Sequence, residues 1–250
     1  MNLDEAKILD NIHQPLSKLV VFDEIDSTMN YAQTNSWSGL NLVIADHQTA
    51  GKGQHGHSFS SPATGIYETI ITPAYKLFIA NPGMLTLGIG VCVQQAIKDV
   101  LDITTQLKWV NDIYYHEKKC GGILVETKTN NENQFENFVI GIGLNLVANE
   151  ILDQVNATSL TQNNDFKNEL IAQIYNLIVL MFQHPNEHDI IRKYQQHMIW
   201  KHKLVSIIVG NHQISGKITG ITDDFRLVLV DQTGKKHHLT SEESQHLRIQ

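Results

Sequence analysis

Apolar positions change period along this chain, and the changes divide it into elements. Near the start, Leu3, Ile8, Leu9 and Ile12 fall on one face of a helix over residues 4–12. Leu19-Val20-Val21-Phe22 and Leu42-Val43-Ile44-Ala45 are short unbroken apolar runs, as buried strands require. Between them Asp26-Ser27-Thr28 offers N-cap side chains for a helix through Tyr31 and Ala32. Alternation over 66–72 predicts a strand, and residues 84–101 carry Leu85, Ile89, Ala96, Ile97 and Val100 at helical spacing. Strands are predicted at 107–109, 122–127 and 138–146, then amphipathic helices at about 166–182 and 188–200.

The pattern shortens after His202. Strands are predicted at 204–209, 212–221, 226–230 and 236–240, with turn signals at Gly210-Asn211, Asp223-Asp224 and Thr233-Gly234. The reading is α+β: a mixed β-sheet domain flanked by helices over residues 1–200, then a small C-terminal β-barrel domain over 201–250. A unit of about fifty residues is near the lower limit for independent folding, so it is expected to lean on the larger one.

Composition narrows the partners. Hydrophobic residues at 42% and charged residues at 18% describe a globular chain, not a disordered one. The net charge of -7 argues against a partner held through phosphates, so no DNA is expected. Cys92 and Cys120 form no Cys-x-x-Cys pair and read as reduced core thiols, which with the acidic start of the chain predicts a cytoplasmic protein without a signal peptide. No apolar run approaches ~20 residues, so no membrane span is expected. His184 and His188 have helical ligand spacing, but Pro185 intervenes and no third ligand is near; no metal site is predicted there.

Three stretches carry chemistry. Gln48-Thr49-Ala50-Gly51-Lys52-Gly53-Gln54-His55-Gly56-His57 allows close backbone approach to a ligand, and its N–H groups with Lys52 form a candidate anion cradle. It has neither Walker A nor Rossmann spacing, and taken alone it equally describes a connecting loop. Lys108-Trp109-Val110-Asn111-Asp112 leads by a polar tip to Lys119-Cys120-Gly121-Gly122, where two lysines face a shared region and paired glycines open a buried strand. Gly141-Ile142-Gly143-Leu144-Asn145 is a glycine-spaced strand ending in an amide.

In this order the three stretches resemble the catalytic domain of biotin protein ligases. That family carries Gly-Arg-Gly-Arg-x-Gly-Arg, Lys-Trp-Pro-Asn-Asp, Lys-x-x-Gly-Ile-Leu-x-Glu and Gly-x-Gly-x-Asn, with an upstream Asp-Ser-Thr-Asn that Asp26-Ser27-Thr28-Met29 resembles. The resemblance covers roughly residues 18–250. It implies that Ser27, Thr28, Met29 and Gln48 hold biotin, and that the loop with Gly51, Lys52, Gly53 and Gln54 closes over an adenylate. It implies that Lys119 meets the reacting carboxylate, that Lys108, Asn111 and Asp112 handle phosphates, Mg²⁺ and the incoming amine, and that Gly122 and Asn145 border the ligand. Lys119, Lys108 and Asp112 are thus the catalytic candidates.

The implied reaction is ATP-dependent formation of biotinyl-AMP, then transfer to a lysine of the biotin carboxyl carrier domain of acetyl-CoA carboxylase or pyruvate carboxylase. A homodimer is left open. The alternatives are a lipoate- or octanoate-type ligase and a catalytically weak biotin-binding relative. The sequence departs from the family's pattern at Lys52, Gln54 and His57, where the pattern has arginine, at Phe59, where it has tryptophan, and at Val110, where it has proline. Lysine keeps a charge without the planar fork, and glutamine keeps neither. About twenty residues precede the first strand, roughly a third of a winged-helix module, so a ligase without a DNA-binding arm is expected.

Overall fold

A computed structural model describes residues 3–150, 152, 157–210 and 212–249. Met1, Asn2 and Asn211, which the predictions above touch, lie outside the described residues, as does the His55 side chain. The chain runs α1 (Glu5–Asn11), β1 (Lys18–Ile25), α2 (Thr28–Thr34), β2 (Asn41–Gln48), β3 (Ile66–Pro73), α3 (Lys76–Ala80), α4 (Pro82–Leu101), β4 (Gln106–Lys108), β5 (Asp112–Tyr115), β6 (Lys118–Thr129) and β7 (Phe135–Leu144). Helices α5 (Lys167–Gln183) and α6 (Glu187–His197) follow, then β8 (Leu204–Val209), β9 (His212–Ile221), β10 (Leu227–Asp231), β11 (Lys236–Leu239) and β12 (Gln245–Ile249).

The first seven strands form one sheet in the order β1-β2-β3-β7-β6-β5-β4. Strands β1 and β2 pair in parallel and the other pairs are antiparallel, so the sheet is mixed, as expected. One face carries the main core, where Leu42, Ile44, Ile66, Ile70 and Ile140 meet residues of α4, α5 and α6. The other face carries a smaller cluster of Met29, Ala32, Val43, Ile71 and Val139 beneath α2. Alternation in β2 and β3 divides their side chains between the two.

Helix α4 is the longest and most apolar candidate for a span, and it is part of the core. An 18-residue window of this helix has a mean hydropathy of 1.3, so by length and composition alone it could cross a membrane, and 67% of that window is buried inside the fold. Thr86, Gln94, Gln95, Lys98 and Asp99 interrupt its apolar run. Apart from Thr86, the helix is buried from Met84 through Gln94, against α5 on one side and the sheet on the other. Gly88 brings α5 close: a Cβ there would lie 2.5 Å from the Met181 sulfur.

The five C-terminal strands form a separate sheet in the order β11-β10-β9-β8-β12. It is open, with β11 and β12 at its two edges, so the expected barrel is not formed. Among the described residues β11 pairs only with β10 and β12 only with β8, so no ladder joins the two edges. This unit leans on the first at several points. The Ile221 N–H donates to Gln195 Oε1, and Phe225 packs on Gly83.

Candidate active site

On the α2 side of the sheet the glycines of β6 and β7 leave the backbone bare. Gly122 pairs with Gly143 across the two strands, and Gly141 lies two residues on. Each is covered by a different side chain. A Cβ at Gly143 would lie 2.7 Å from the Phe59 ring, one at Gly141 would lie 2.7 Å from the Met29 sulfur, and one at Gly122 would touch the Lys119 Nζ at 3.5 Å. A narrow cleft lies over this floor. Thr28, Met29, Gln48, Lys52, Gly53, Gln54, Phe59, Asn111, Lys119 and Gly122 are among its lining residues.

One end of the cleft is neutral and hydrogen-bonded. Gln48 ends β2, and its Oε1 accepts from the Thr28 N–H at 2.8 Å and the Thr28 hydroxyl at 3.0 Å. Thr69 donates to the Thr28 hydroxyl from below, while Gln48 Nε2 donates to Ser61, whose hydroxyl donates to the Phe59 carbonyl. The chain Thr69–Thr28–Gln48–Ser61 fixes the amide's orientation. With both lone pairs of Oε1 engaged, the second Nε2 hydrogen is the group Gln48 can turn to a ligand. Ser27 caps α2 by accepting from the Asn30 N–H, so it positions Thr28 and does not line the cleft.

The other end is charged. Lys119 Nζ lies 2.6 Å from Asp112 Oδ1, and Lys108 Nζ lies 3.6 Å from Asp112 Oδ2. The antiparallel pairing of β4 with β5 sets Lys108 beside Asp112, and β6 returns Lys119 to the same place. A second, wider cleft of about 320 Å³ opens here, sharing Gly53, Gln54, Phe59, Asn111 and Lys119 with the first. Lys108, Asp112 and His57 line it, with Ser241, Ser244 and Leu247 from the C-terminal unit. Trp109 Nε1 donates to Ser244 Oγ at 2.6 Å and ties the loop after β4 to that unit.

Several expected residues have other tasks in this conformation. The Asn111 amide donates to the Ile123 carbonyl, and the Asn145 amide donates to the Thr158 carbonyl. Asn145 lines neither cleft; it brackets the chain after β7. Gly51 is the close approach in the loop's turn, where a Cβ would lie 2.4 Å from the Phe59 carbonyl and from Ser61 Oγ. The Gly53 N–H donates to the His57 carbonyl and the His57 N–H to the Gln54 carbonyl. These two amides are therefore spent inside the loop and do not form the expected anion nest. Phe59 was marked only as standing where the family's pattern has tryptophan; Ser61 and Thr69 were missed as site residues because nothing in their local sequence marks them, and the period of β3 puts Thr69 on the α2 face only once the sheet order is known.

The chemistry follows from this polarity. A ligand with a neutral polar head fits the Gln48 end, and an anionic tail fits the lysine end. The two thiols are not the nucleophiles of such a site: burial pushes Cys92 up to about 12 and pushes Cys120 well above its ordinary range. Among the described residues no cluster of three His, Cys, Asp or Glu side chains could hold a metal ion by itself. The arrangement defines a class, a site that binds a small acid beside a cationic pocket able to stabilise added negative charge.

Comparison with known proteins makes that class specific. A family model described as "Biotin/lipoate A/B protein ligase family" matches residues 21–145. The chain is 31% identical over 239 residues to the "Bifunctional ligase/repressor BirA" of Bacillus spizizenii, covering 87% of this chain and 71% of that protein. It is 33% identical over 127 residues to the "Biotin--[acetyl-CoA-carboxylase] ligase" of Mycobacterium tuberculosis, 48% of this chain and 44% of that one. The structure of the biotin protein ligase of Aquifex aeolicus in complex with biotin and ATP superposes with a TM-score of 0.82 at 25% identity, covering 94% of this chain and 100% of that one. The chain belongs to the biotin/lipoate A/B protein ligase family, among its biotin protein ligases, and is a ligase.

Proposed function

We propose that this protein joins biotin to a lysine of a carrier protein in two steps at the described cleft. The observation that carries the reading is the cleft's polarity: a fixed neutral amide over a glycine floor at one end, and Lys119, Lys108 and Asp112 at the other. A ureido ring is a neutral group of donors and acceptors that needs such an amide, and its apolar body needs the bare floor. The ring seats near Gln48 and Thr28, and the acid chain runs toward Lys119.

In the first step a carboxylate oxygen of biotin attacks the α-phosphorus of ATP. A P–O bond forms, the bond to the β-phosphate oxygen breaks, and pyrophosphate leaves. Two anions must meet, and charge builds on the phosphoryl oxygens. Lys119 and Lys108 supply positive charge where it builds. ATP enters as its Mg²⁺ complex. Asp112 is the one carboxylate among the residues lining the second cleft, which suits an ion carried mainly by phosphates. In the second step the amine of a carrier lysine attacks the acyl carbon, the bond to AMP breaks, and the amine loses a proton. Asp112 is placed to receive that amine once Lys119 turns to the phosphate. Phe59 and the loop around Gln54 keep water from the mixed anhydride.

A relative named for acetyl-CoA carboxylase supports a carboxyl carrier domain as the acceptor. The net charge of -7 favours a protein acceptor over nucleic acid. The test is ATP–pyrophosphate exchange with biotin, lipoate and octanoate supplied separately. Exchange with biotin alone is expected; exchange led by lipoate or octanoate would move the protein to the other branch of the family.

A further inference from the structure

Lys108 is held from outside the cleft. Its ammonium sits 5.5 Å from the centroid of the Tyr114 ring and 5.2 Å from that of Trp200, and the two rings meet edge to face at 6.2 Å. Neither ring lines either cleft. Tyr114 comes from β5, in register with Gln106 of β4. Trp200 comes from the joint between α6 and β8 and is brought there by main-chain contacts. Met198 bridges to Leu107, and the Ile199 N–H donates to the Leu107 carbonyl at 3.0 Å. Trp200 itself has a φ of +66°, which a tryptophan rarely adopts.

We propose that Trp200 and Tyr114 are positioning residues that clamp the Lys108 ammonium for the phosphates of MgATP. Ring faces attract a cation and hold it without forming a competing ion pair. Asp112, at 3.6 Å, is beyond hydrogen-bond distance from Lys108, whereas it is bonded to Lys119. The clamp thus divides the two lysines: Lys119 is hydrogen-bonded to Asp112 in the resting cleft, while Lys108, in a looser ion pair with the same carboxylate, is held by the rings toward an incoming anion. It also places the first residues after α6 in control of the nucleotide side of the cleft.

The inference rests on the ligase reading for the identity of the anion, so its test uses equilibrium binding. MgATP affinity is measured by calorimetry for the unchanged protein, Trp200→Phe, Trp200→Leu, Lys108→Met and the double variant Lys108→Met/Trp200→Leu, with thermal midpoints alongside. Trp200→Leu is expected to weaken MgATP by about three- to tenfold, the range of a partly buried cation–ring contact. Trp200→Phe, which keeps a ring face, is expected to stay within about twofold on the same grounds. Biotin affinity is expected to be unchanged in both, and the leucine effect is expected to vanish in the Lys108→Met background. Equal losses for leucine and phenylalanine, or an undiminished leucine effect without Lys108, would overturn the clamp. Pyrophosphate exchange by the unchanged protein is scored separately, so failure of the ligase reading is seen independently of this binding pattern.

Discussion

Individual side chains decide how this cleft treats charge. Lys119 is 39% exposed and its main partner is Asp112, so the fold does not depend on it. Lys119→Ala is expected to cut biotin-dependent pyrophosphate exchange by ~10²–10³, as loss of one charge-stabilising group does, with the circular dichroism spectrum unchanged. Near-normal exchange would make Lys119 a solvated strand residue. Gln54 raises a different question. It lines both clefts where the family's pattern has arginine, and it can offer the adenylate only a neutral N–H. Charged hydrogen bonds to phosphate are roughly twice as strong as neutral ones. Gln54→Arg is therefore expected to slow release of biotinyl-AMP and to lower labelling of bystander lysines on an unrelated protein. Equal release rates would show that Lys52 or His57 already holds the adenylate.

At the scale of elements, the site is made by strands that end at the right place. Trp109 shows how this is secured: its indole donates to Ser244 while its ring meets Tyr194 edge to face. Trp109→Phe keeps the ring packing and removes the donor. It is expected to cost about 1 kcal/mol of stability, a typical net hydrogen bond, and to raise the KM for MgATP more than that for biotin, read from denaturation midpoints and initial rates. Equal changes in both KM values would mean that the tie to the C-terminal unit has no bearing on the nucleotide side.

This is also where the sequence was least legible. The long elements were readable from their period, and the glycine pairs pointed to the floor before any coordinates. The short strands β5 and β12 and the five-residue α3 were not foreseen: four or five residues carry little period, whereas the equally short β10 and β11 were set off by the turn signals at Asp223-Asp224 and Thr233-Gly234. The 188–200 helix stops at His197, since Met198–Ile199 is pulled into contact with Leu107. Trp200 and Ser244 lie more than ninety residues from the lysine and tryptophan they hold, so no local pattern marks them.

At the scale of the whole molecule, one buried group works against stability. Glu68 in β3 is fully buried, and neither carboxylate oxygen has a hydrogen-bond partner among the described residues. Burial alone pushes its carboxyl well above the ordinary range. The folded protein then holds a proton that the unfolded chain releases above its ordinary glutamate range. Stability is therefore expected to fall as pH rises from there to the folded pKa, by up to about 1.4 kcal/mol per pH unit. Glu68→Leu is expected to flatten that slope and raise the melting temperature most at alkaline pH, tested by thermal melts from pH 5 to 9. Parallel pH profiles for the two proteins would show that Glu68 is charged and paired in solution.

The account as a whole stands on one covalent product. A biotin carboxyl carrier domain incubated with this protein, biotin and MgATP is measured by intact-mass spectrometry, with lipoate replacing biotin in a parallel reaction. The account predicts a mass increase of one biotinyl group, mapped by peptide sequencing to a single carrier lysine and lost when that lysine is replaced, and no increase with lipoate. An unmodified carrier with biotin, or one modified by lipoate instead, would contradict it.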